Sequence, residues 1–267
     1  MGEHSIKSAR RVFEVLEHFD RIRAPVSLSD ICEEFGYPPS SGSVLLKSLV
    51  HLGYLEYDKR SRTYLPTMRI ALLGSWVATD LFGKLNILRL MEDLRDATRE
   101  TVVLTARSDL QAQYVHVVHS NEALHFAVAP GTLRPIVSSG FGRLLLSAET
   151  NPDVESIVRR IDALRKPRDA KIDLRELMTE LQTIRRHGYG ASESRITSGV
   201  RTMGVLLPAT PFGRRFAIGV GGPSERIKFR SEAILRFLRE TAKIFGDAVK
   251  QAGLSGSPLR QSAAKRR

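Results

Sequence analysis

Three short helical patterns followed by a hairpin pattern fill residues 7–66, and this order limits the fold more than any other feature. The first pattern is one stripe of apolar residues at helical spacing: Ala9, Val12, Phe13, Leu16 and Phe19. Ser27 and Asp30 have the spacing of a capping box, which predicts a second helix that Gly36 ends. Its buried face would be formed by Ile31, Cys32 and Phe35.

A third helix is predicted from about Ser41 to Leu52, with Ser40 as its cap and Gly53 after its end. Its predicted buried residues are Val44, Leu45, Ser48, Leu49 and Leu52. Residues 54–57 and 63–65 flank a charged tip, which is typical of a β-hairpin. This is the element order of a winged helix-turn-helix, in which the third helix enters a DNA major groove.

The rest of the chain reads as connecting helices and then a mixed α+β domain. Apolar residues recur at helical spacing over residues 67–76 and 81–98. Strands are predicted at 101–106, 114–118, 124–128, 189–192, 203–207 and 216–220, and helices at 141–148, 154–161, 173–187 and 231–251. This arrangement predicts a mostly antiparallel sheet covered by helices.

Composition excludes several classes of protein. Lys and Arg outnumber Asp and Glu by 41 to 29, a formal charge of +12, but residues 1–66 carry nine of each sign. The single cysteine, Cys32, excludes internal disulfides and Cys-rich metal clusters, and the sequence predicts neither a metal nor a cofactor. An apolar run long enough for a membrane span is absent from the sequence, and residues 1–11 lack an apolar signal core. These features predict a cytoplasmic protein.

Seven segments in order resemble the IclR family of bacterial transcription regulators. They are residues 8–16, 26–31, 45–55, 63–65, 185–189, 199–201 and 218–223. The resemblance implies an N-terminal winged helix-turn-helix (5–66), linker helices (67–99) and an α+β effector domain of GAF/PAS-like fold with an antiparallel sheet (100–252). Composition predicts that the basic tail, 253–267, is disordered.

The resemblance further implies a homodimer or a dimer of dimers that binds a near-palindromic operator in double-stranded DNA. Its effector would be a small organic acid, and the chain would not be an enzyme. The candidate DNA-binding residues are Arg10, Arg11, Ser40, Ser41, Ser43, Lys47, Lys59, Arg60 and Arg62. Val44 stands where the family usually has an arginine, so the strongest bidentate reader of guanine is missing there.

Candidate effector-binding residues follow from the family pattern position by position. They are Leu104, Ile136, Val137, Ser138, Ser139, Ser192, Glu193, Thr202, Gly219 and Gly221. Gly219 and Gly221 replace serines that the family often has, which predicts a roomier and less polar pocket that suits a larger acid, such as an aromatic one. Glu193 would repel a carboxylate and is expected to meet a ligand hydroxyl or Arg201.

Other readings of these signals remain open. His116 and His119 would point to opposite faces of a strand, so a structural role for them and for His125 is favoured over a metal site. The chain could bind DNA without sequence preference and without an effector, through its basic second half. It could also be an enzyme with an appended DNA-binding module, although nucleophile-elbow, metal and phosphate-loop motifs are absent from the sequence.

Overall fold

The computed structural model describes residues 6–73, 86–165, 171–194, 197–209 and 215–251. The chain divides into two compact units, residues 1–79 and 80–267. The elements of the first unit are α1 (Lys7–Ile22), β1 (Val26–Ser27), α2 (Leu28–Phe35), α3 (Pro39–His51), β2 (Leu55–Asp58), β3 (Thr63–Pro66) and α4 (Met68–Leu73). The three strands form an antiparallel sheet in the order β1-β3-β2.

Local sequence signals account for the start and end of α2. Ser27 accepts a hydrogen bond from the Asp30 amide, and Asp30 accepts one from the Ser27 amide, so the predicted capping box is confirmed. Gly36 ends the helix with a φ of 63°, a left-handed conformation that costs glycine little.

The buried faces of the first and third helices are only partly as predicted, since Phe19 and Leu49 are buried but other predicted residues are not. In α1 the core residues are Val15, His18 and Phe19, whereas Phe13 is 64% exposed. The third helix begins at Pro39 rather than near Ser41, and the predicted cap by Ser40 is wrong. Pro38 is the N-cap, and its side chain has no group that could accept a hydrogen bond. Pro39 occupies N1, where the fixed backbone angle of a proline fits the start of a helix.

The second unit combines one antiparallel sheet with helices on both of its faces. Its elements are α5 (Ile87–Thr98), β4 (Thr101–Ser108), β5 (Gln111–Val118), β6 (Leu133–Pro135), α6 (Gly140–Leu146), α7 (Asn151–Leu164), α8 (Leu174–His187), β7 (Gly190–Glu193), β8 (Val200–Leu206), β9 (Phe216–Pro223), α9 (Ser224–Phe229) and α10 (Ser231–Gln251). The strand order is β6-β5-β4-β9-β8-β7, and each neighbouring pair is antiparallel. The predicted α+β class with an N-terminal helix-turn-helix is confirmed.

Two core clusters cover the two faces of this sheet. Residues of α5 and α10 pack on the face that carries Leu104 and Ile218. Phe141 and Leu144 of α6 pack on the other face, which carries Val103 and Ala217. Gly219 and Gly221, two of the positions that the sequence assigned to the effector, lie on this second face.

Some predicted segments differ from the structure. The strand predicted at 124–128 is wrong, although Phe126 and Val128 are buried there, and the sheet instead gains β6. Helix α9 was not predicted. The connecting helices predicted at 67–76 and 81–98 lie partly outside the described residues, and the tail 253–267 lies wholly outside them. Among the described helices, none is long and apolar enough to cross a membrane.

Candidate functional site

The exposed face of α3 carries the first group of candidate residues. Ser40, Lys47 and Ser48 are exposed, and Val44 is 66% exposed. The buried residues of the helix are Gly42, Leu46 and Leu49. The prediction that Val44, Ser48 and Leu52 are buried is therefore wrong, and these residues belong to the accessible face.

Gly42 fixes which face of α3 is turned inward. A Cβ atom at this position would lie 2.6 Å from Cys32 Sγ and 3.2 Å from Leu28 Cδ1. Only a residue without a side chain allows α2 and α3 to pack this closely. The close packing of the two helices holds the opposite face, with Val44 and Lys47, in solvent.

The hairpin tip holds the second group of candidates. Lys59, Arg60 and Arg62 are all exposed between β2 and β3. The Asp58 carboxylate accepts a hydrogen bond from the Arg60 amide at 2.7 Å, and this bond lowers the pKa of Asp58. Arg62 adopts a left-handed φ of 57°, which closes the turn. The carboxylate of Asp58 therefore shapes the tip while the three cations extend from it.

The sequence of residues 1–66 has no net charge, but its charges are not evenly distributed in the structure. Glu34 pairs with Arg21 at 3.1 Å, and Asp30 belongs to the capping box of α2. Lys47 and the three hairpin cations form no salt bridge with any described residue. The surface formed by α3 and the hairpin tip thus carries an excess of positive charge, with Lys47 and three hairpin cations against Asp58, which favours a polyanion.

Arg10 and Arg11 are engaged differently from these cations. Arg10 Nε lies 3.2 Å from Glu14 Oε1. The Arg11 guanidinium lies 4.5 Å from the centre of the Tyr37 ring, a cation–π arrangement. The Tyr37 hydroxyl donates a hydrogen bond to the Glu14 carboxylate, and burial together with this bond raises the pKa of Tyr37 to about 12. Arg11 therefore packs on the buried Tyr37, whereas Arg10 forms an ion pair within α1.

Three of the candidate effector residues meet at the start of α6. A Cβ atom at Gly140 would lie 2.5 Å from Thr202 Oγ1 and 3.2 Å from Ser192 Cβ. Thr202 donates to the Ser192 carbonyl at 3.4 Å, and Ser139 accepts from the Gly142 amide as the N-cap of α6. Ser139, Ser192 and Thr202 thus form one polar cluster around Gly140.

Other candidates lie away from that cluster. Leu104 lies on the opposite face of the sheet from Thr202. Thr202 pairs with Gly221, which pairs with Thr101, so Thr101 and Thr202 share a face. Leu104 is three residues after Thr101 on β4, so its side chain points to the other face. Ile136 is fully buried among residues of α7 and α8. Val137 and Ser138 border a separate cavity of about 280 Å³ with Asp173 and Glu176.

The prediction of a roomier pocket beside Gly219 and Gly221 is wrong. The Phe141 ring occupies the space where a Gly219 side chain would lie, and it also lies 3.0 Å from the Cβ position of Gly204. The Phe126 ring lies 2.6 Å from the Cβ position of Gly221. Two aromatic side chains therefore fill the wall that the glycines leave open.

Glu193 belongs to an ion-pair network at the end of β7. Its carboxylate accepts hydrogen bonds from Ser224 Oγ and from Arg201 Nη1 at 3.0 Å, and Lys228 Nζ lies 3.3 Å away. The hydrogen bonds from Ser224 and Arg201 lower the pKa of Glu193 to about 2. The expected contact with Arg201 is present, and the carboxylate is held by the protein itself.

A cavity of about 600 Å³ lies between the start of α6, α8 and β7. Its lining includes Gly140 and Ser192 of the polar cluster, the predicted residue Glu193 and the apolar residues Ile184 and Ala191. The other lining residues are Arg143, Thr179, Glu180, Thr183, His187, Tyr189, Gly190, Ser194 and Arg201. Arg143 is 8% exposed, and its guanidinium lies 2.5 Å from Glu180. The volume and the mixed lining suit a small polar molecule.

The histidines do not converge on a metal site. His119 and His125 have ring centroids 6.0 Å apart, and His116 lies on β5, where burial lowers its pKa. Within the described ranges, His, Cys, Asp and Glu side chains form no group of three that could hold an ion.

The structure adds residues that the sequence analysis did not assign to a site. Val44 and Ser48 join the exposed face of α3, and Arg143, His187 and Tyr189 join the cavity. The contact between Gly42 and Cys32 would have identified the first pair, but residue spacing alone does not reveal it. The second set comes from segments far apart in the sequence.

Comparisons with known proteins match both units. Residues 8–59 match the model of the IclR helix-turn-helix domain, and residues 82–245 match that of the C-terminal domain of bacterial transcriptional regulator IclR. The regulator KdgR of Escherichia coli is 23% identical over 88% of each chain. A crystal structure of an IclR family transcriptional regulator from Brucella abortus is 26% identical, covers 92% of this chain and 93% of that chain, and has a TM-score of 0.57.

Another solved structure is that of an IclR homologue from Microbacterium hydrocarbonoxydans in complex with 4-hydroxybenzoate. It is 21% identical, covers 92% of this chain and all of that chain, and has a TM-score of 0.64.

Proposed function

The chain belongs to the IclR family of bacterial transcriptional regulators, and from this premise we propose that α3 and the hairpin tip bind a specific operator. The observation that carries the proposal is the accessible face of α3 with its unpaired Lys47, next in sequence to a hairpin with three more unpaired cations. A helix of this width fits the major groove, and side chains along its exposed face reach base edges. The hairpin cations would contact phosphates.

The proposal assigns different roles to the residues of this surface. Lys47, Lys59, Arg60 and Arg62 neutralise phosphates and release counterions, so they supply affinity without sequence information. Ser40, Ser41 and Ser43 donate to base edges or phosphates near the start of α3. Arg10 and Arg11 position Glu14 and Tyr37 and contribute to binding through the stability of the first unit. A near-palindromic site requires two copies of the chain, so we propose a dimer or a dimer of dimers.

Footprinting of the full-length protein on genomic DNA at about 150 mM salt tests this proposal. A protected near-palindrome is the expected result. Uniform protection would instead support the sequence-independent reading, in which the basic second half binds DNA.

A pair of lysine variants distinguishes the two readings further. Lys47→Ala should reduce the slope of log K against log salt by about 0.9 for each phosphate that the variant no longer neutralises. Lys243→Ala, a change at an exposed lysine of α10, is the matched control and should leave the slope unchanged. Equal effects of both variants would overturn the assignment of the interface to α3.

We propose further that the cavity between α6, α8 and β7 binds a small organic acid that alters operator affinity. Several hydroxyl groups and two arginines border a space large enough for an aromatic acid; Arg143 is paired there with Glu180, and Arg201 with Glu193. A ligand changes DNA binding only if its affinity differs between the DNA-competent and incompetent states, so it must reduce or raise operator affinity measurably.

Thermal-shift and operator-binding assays with a panel of aliphatic and aromatic carboxylic acids, including 4-hydroxybenzoate, test this second part. Thr183→Trp would fill the cavity and should abolish the response. Gln182→Trp changes the neighbouring exposed residue on α8 and should retain it. A panel without any response, or a response that survives Thr183→Trp, would place the effector elsewhere or exclude it.

A further inference from the structure

Val44 is an apolar side chain that the fold does not use. It is 66% exposed in the second turn of α3, while the neighbouring Leu45 and Leu46 pack in the core of the first unit. A β-branched residue is also a weaker helix former than the lysine or arginine common at exposed helix positions. Val44 therefore remains available on the surface that we propose faces DNA.

The neighbours of Val44 on this face let the helix approach a surface closely. Ser40 and Ser41 lie one turn before it, and Lys47 and Ser48 lie one turn after it. Three of these four side chains are short. The Ser48 hydroxyl donates to the Val44 carbonyl at 2.8 Å, so its proton is used within the helix. A short isopropyl group can reach the floor of a groove only where its neighbours do not hold the helix away.

The chemistry of the major groove then limits what Val44 can contact. An isopropyl group neither donates nor accepts hydrogen bonds. Of the base edges exposed in the major groove, only thymine presents an apolar group, its C5 methyl. We propose that Val44 reads a thymine in each operator half-site by packing against this methyl group. The inference rests on the proposed operator binding and deepens it.

Removal of single thymine methyl groups from the DNA tests the inference directly. The operator is first selected from random sequence with the full-length protein, and each thymine is then replaced by deoxyuridine, which removes only the methyl group. We expect one thymine per half-site whose replacement weakens binding about three- to five-fold, the effect of one buried methyl-sized group.

Variants of the protein connect that thymine to Val44. Val44→Ala should bind the thymine and deoxyuridine operators equally, with an unchanged salt slope because it removes no phosphate contact. Leu52→Ala, a change at another exposed apolar residue at the end of α3, is the matched control and should keep the deoxyuridine penalty. Val44→Arg should shift the preference at that position towards guanine.

The outcomes separate this inference from the proposed function. Failure to select any operator would overturn the proposed function and the inference together. A selected operator that tolerates deoxyuridine at every position, or a deoxyuridine penalty that persists in Val44→Ala, would overturn the inference alone.

Discussion

Replacement of Gly42 by alanine should change the stability of the helix-turn-helix in opposite directions in two backgrounds. In the native sequence the new Cβ atom would lie 2.6 Å from Cys32 Sγ, closer than side-chain atoms pack, so either Cys32 or α3 has to move. In a Cys32→Ala background that sulfur is gone. The next contact is 3.2 Å from Leu28 Cδ1, the end of a flexible side chain that can shift by a few tenths of an ångström.

The magnitude follows from two opposing effects. Alanine is favoured over glycine in a helix by about 1 kcal/mol. Overpacking of a buried contact costs about 1–3 kcal/mol. Gly42→Ala should therefore destabilise the native chain by about 0–2 kcal/mol, whereas in the Cys32→Ala background it should stabilise the chain by about 1 kcal/mol.

Peptide-resolved hydrogen exchange on the full chain measures this change locally. Amides of α2 and α3 in the Cys32→Ala, Gly42→Ala double variant should exchange about five-fold more slowly than in Cys32→Ala alone, which corresponds to about 1 kcal/mol. In the native background the same substitution should speed exchange or leave it unchanged. Slower exchange by the same factor in both backgrounds would refute the argument that the Cys32 sulfur requires a glycine.

Three further predictions concern the second unit. Arg226→Ala should lower the melting temperature more than Glu100→Gln. The first change leaves the fully buried Glu100 carboxylate unpaired, at a cost of about 3–5 kcal/mol, whereas in the second Arg226 is 29% exposed and can reach water. Equal losses of melting temperature would contradict this. The pKa of Glu193, lowered from 4.5 to about 2, means that its ion pairs stabilise the fold fully above about pH 4.5 and lose this effect as pH falls towards 2. Melting curves of the native chain and Glu193→Gln should therefore converge over that range, and a constant difference would count against the network. Phe141→Ala should destabilise the unit by about 3–5 kcal/mol and open a space beside Gly204 and Gly219. A benzene-sized ligand that binds in this space should then raise the melting temperature of the variant but not that of the native chain.

Local signals predicted the ends of helices better than the faces that the helices bury. The capping box at Ser27 and the left-handed Gly36 depend on residues within a few positions of each other, and both are confirmed. For α3, the prediction that Leu49 is buried is confirmed, but the prediction that Val44, Ser48 and Leu52 are buried is wrong. Apolar residues surround most of this helix, so the periodicity of its sequence favours no single direction. The contact between Gly42 and Cys32 decides the direction, and it joins two helices whose packing the spacing of residues does not encode.

In the candidate effector region, too, the sequence does not reveal which residues from distant segments pack together. Taken one at a time, Gly219 and Gly221 each remove a side chain and predict a larger pocket. The structure places Phe141 against the first glycine and Phe126 against the second, so rings from α6 and from the segment before β6 fill the volume that β9 leaves open. A small residue enlarges a cavity only if no larger partner moves into the space, because protein interiors pack densely. The described residues that border the remaining cavity belong to α6, α8, β7 and β8 and to the segments beside them, not to β9. We therefore expect substitutions of Thr183 or His187 on α8, rather than substitutions on β9, to change effector preference.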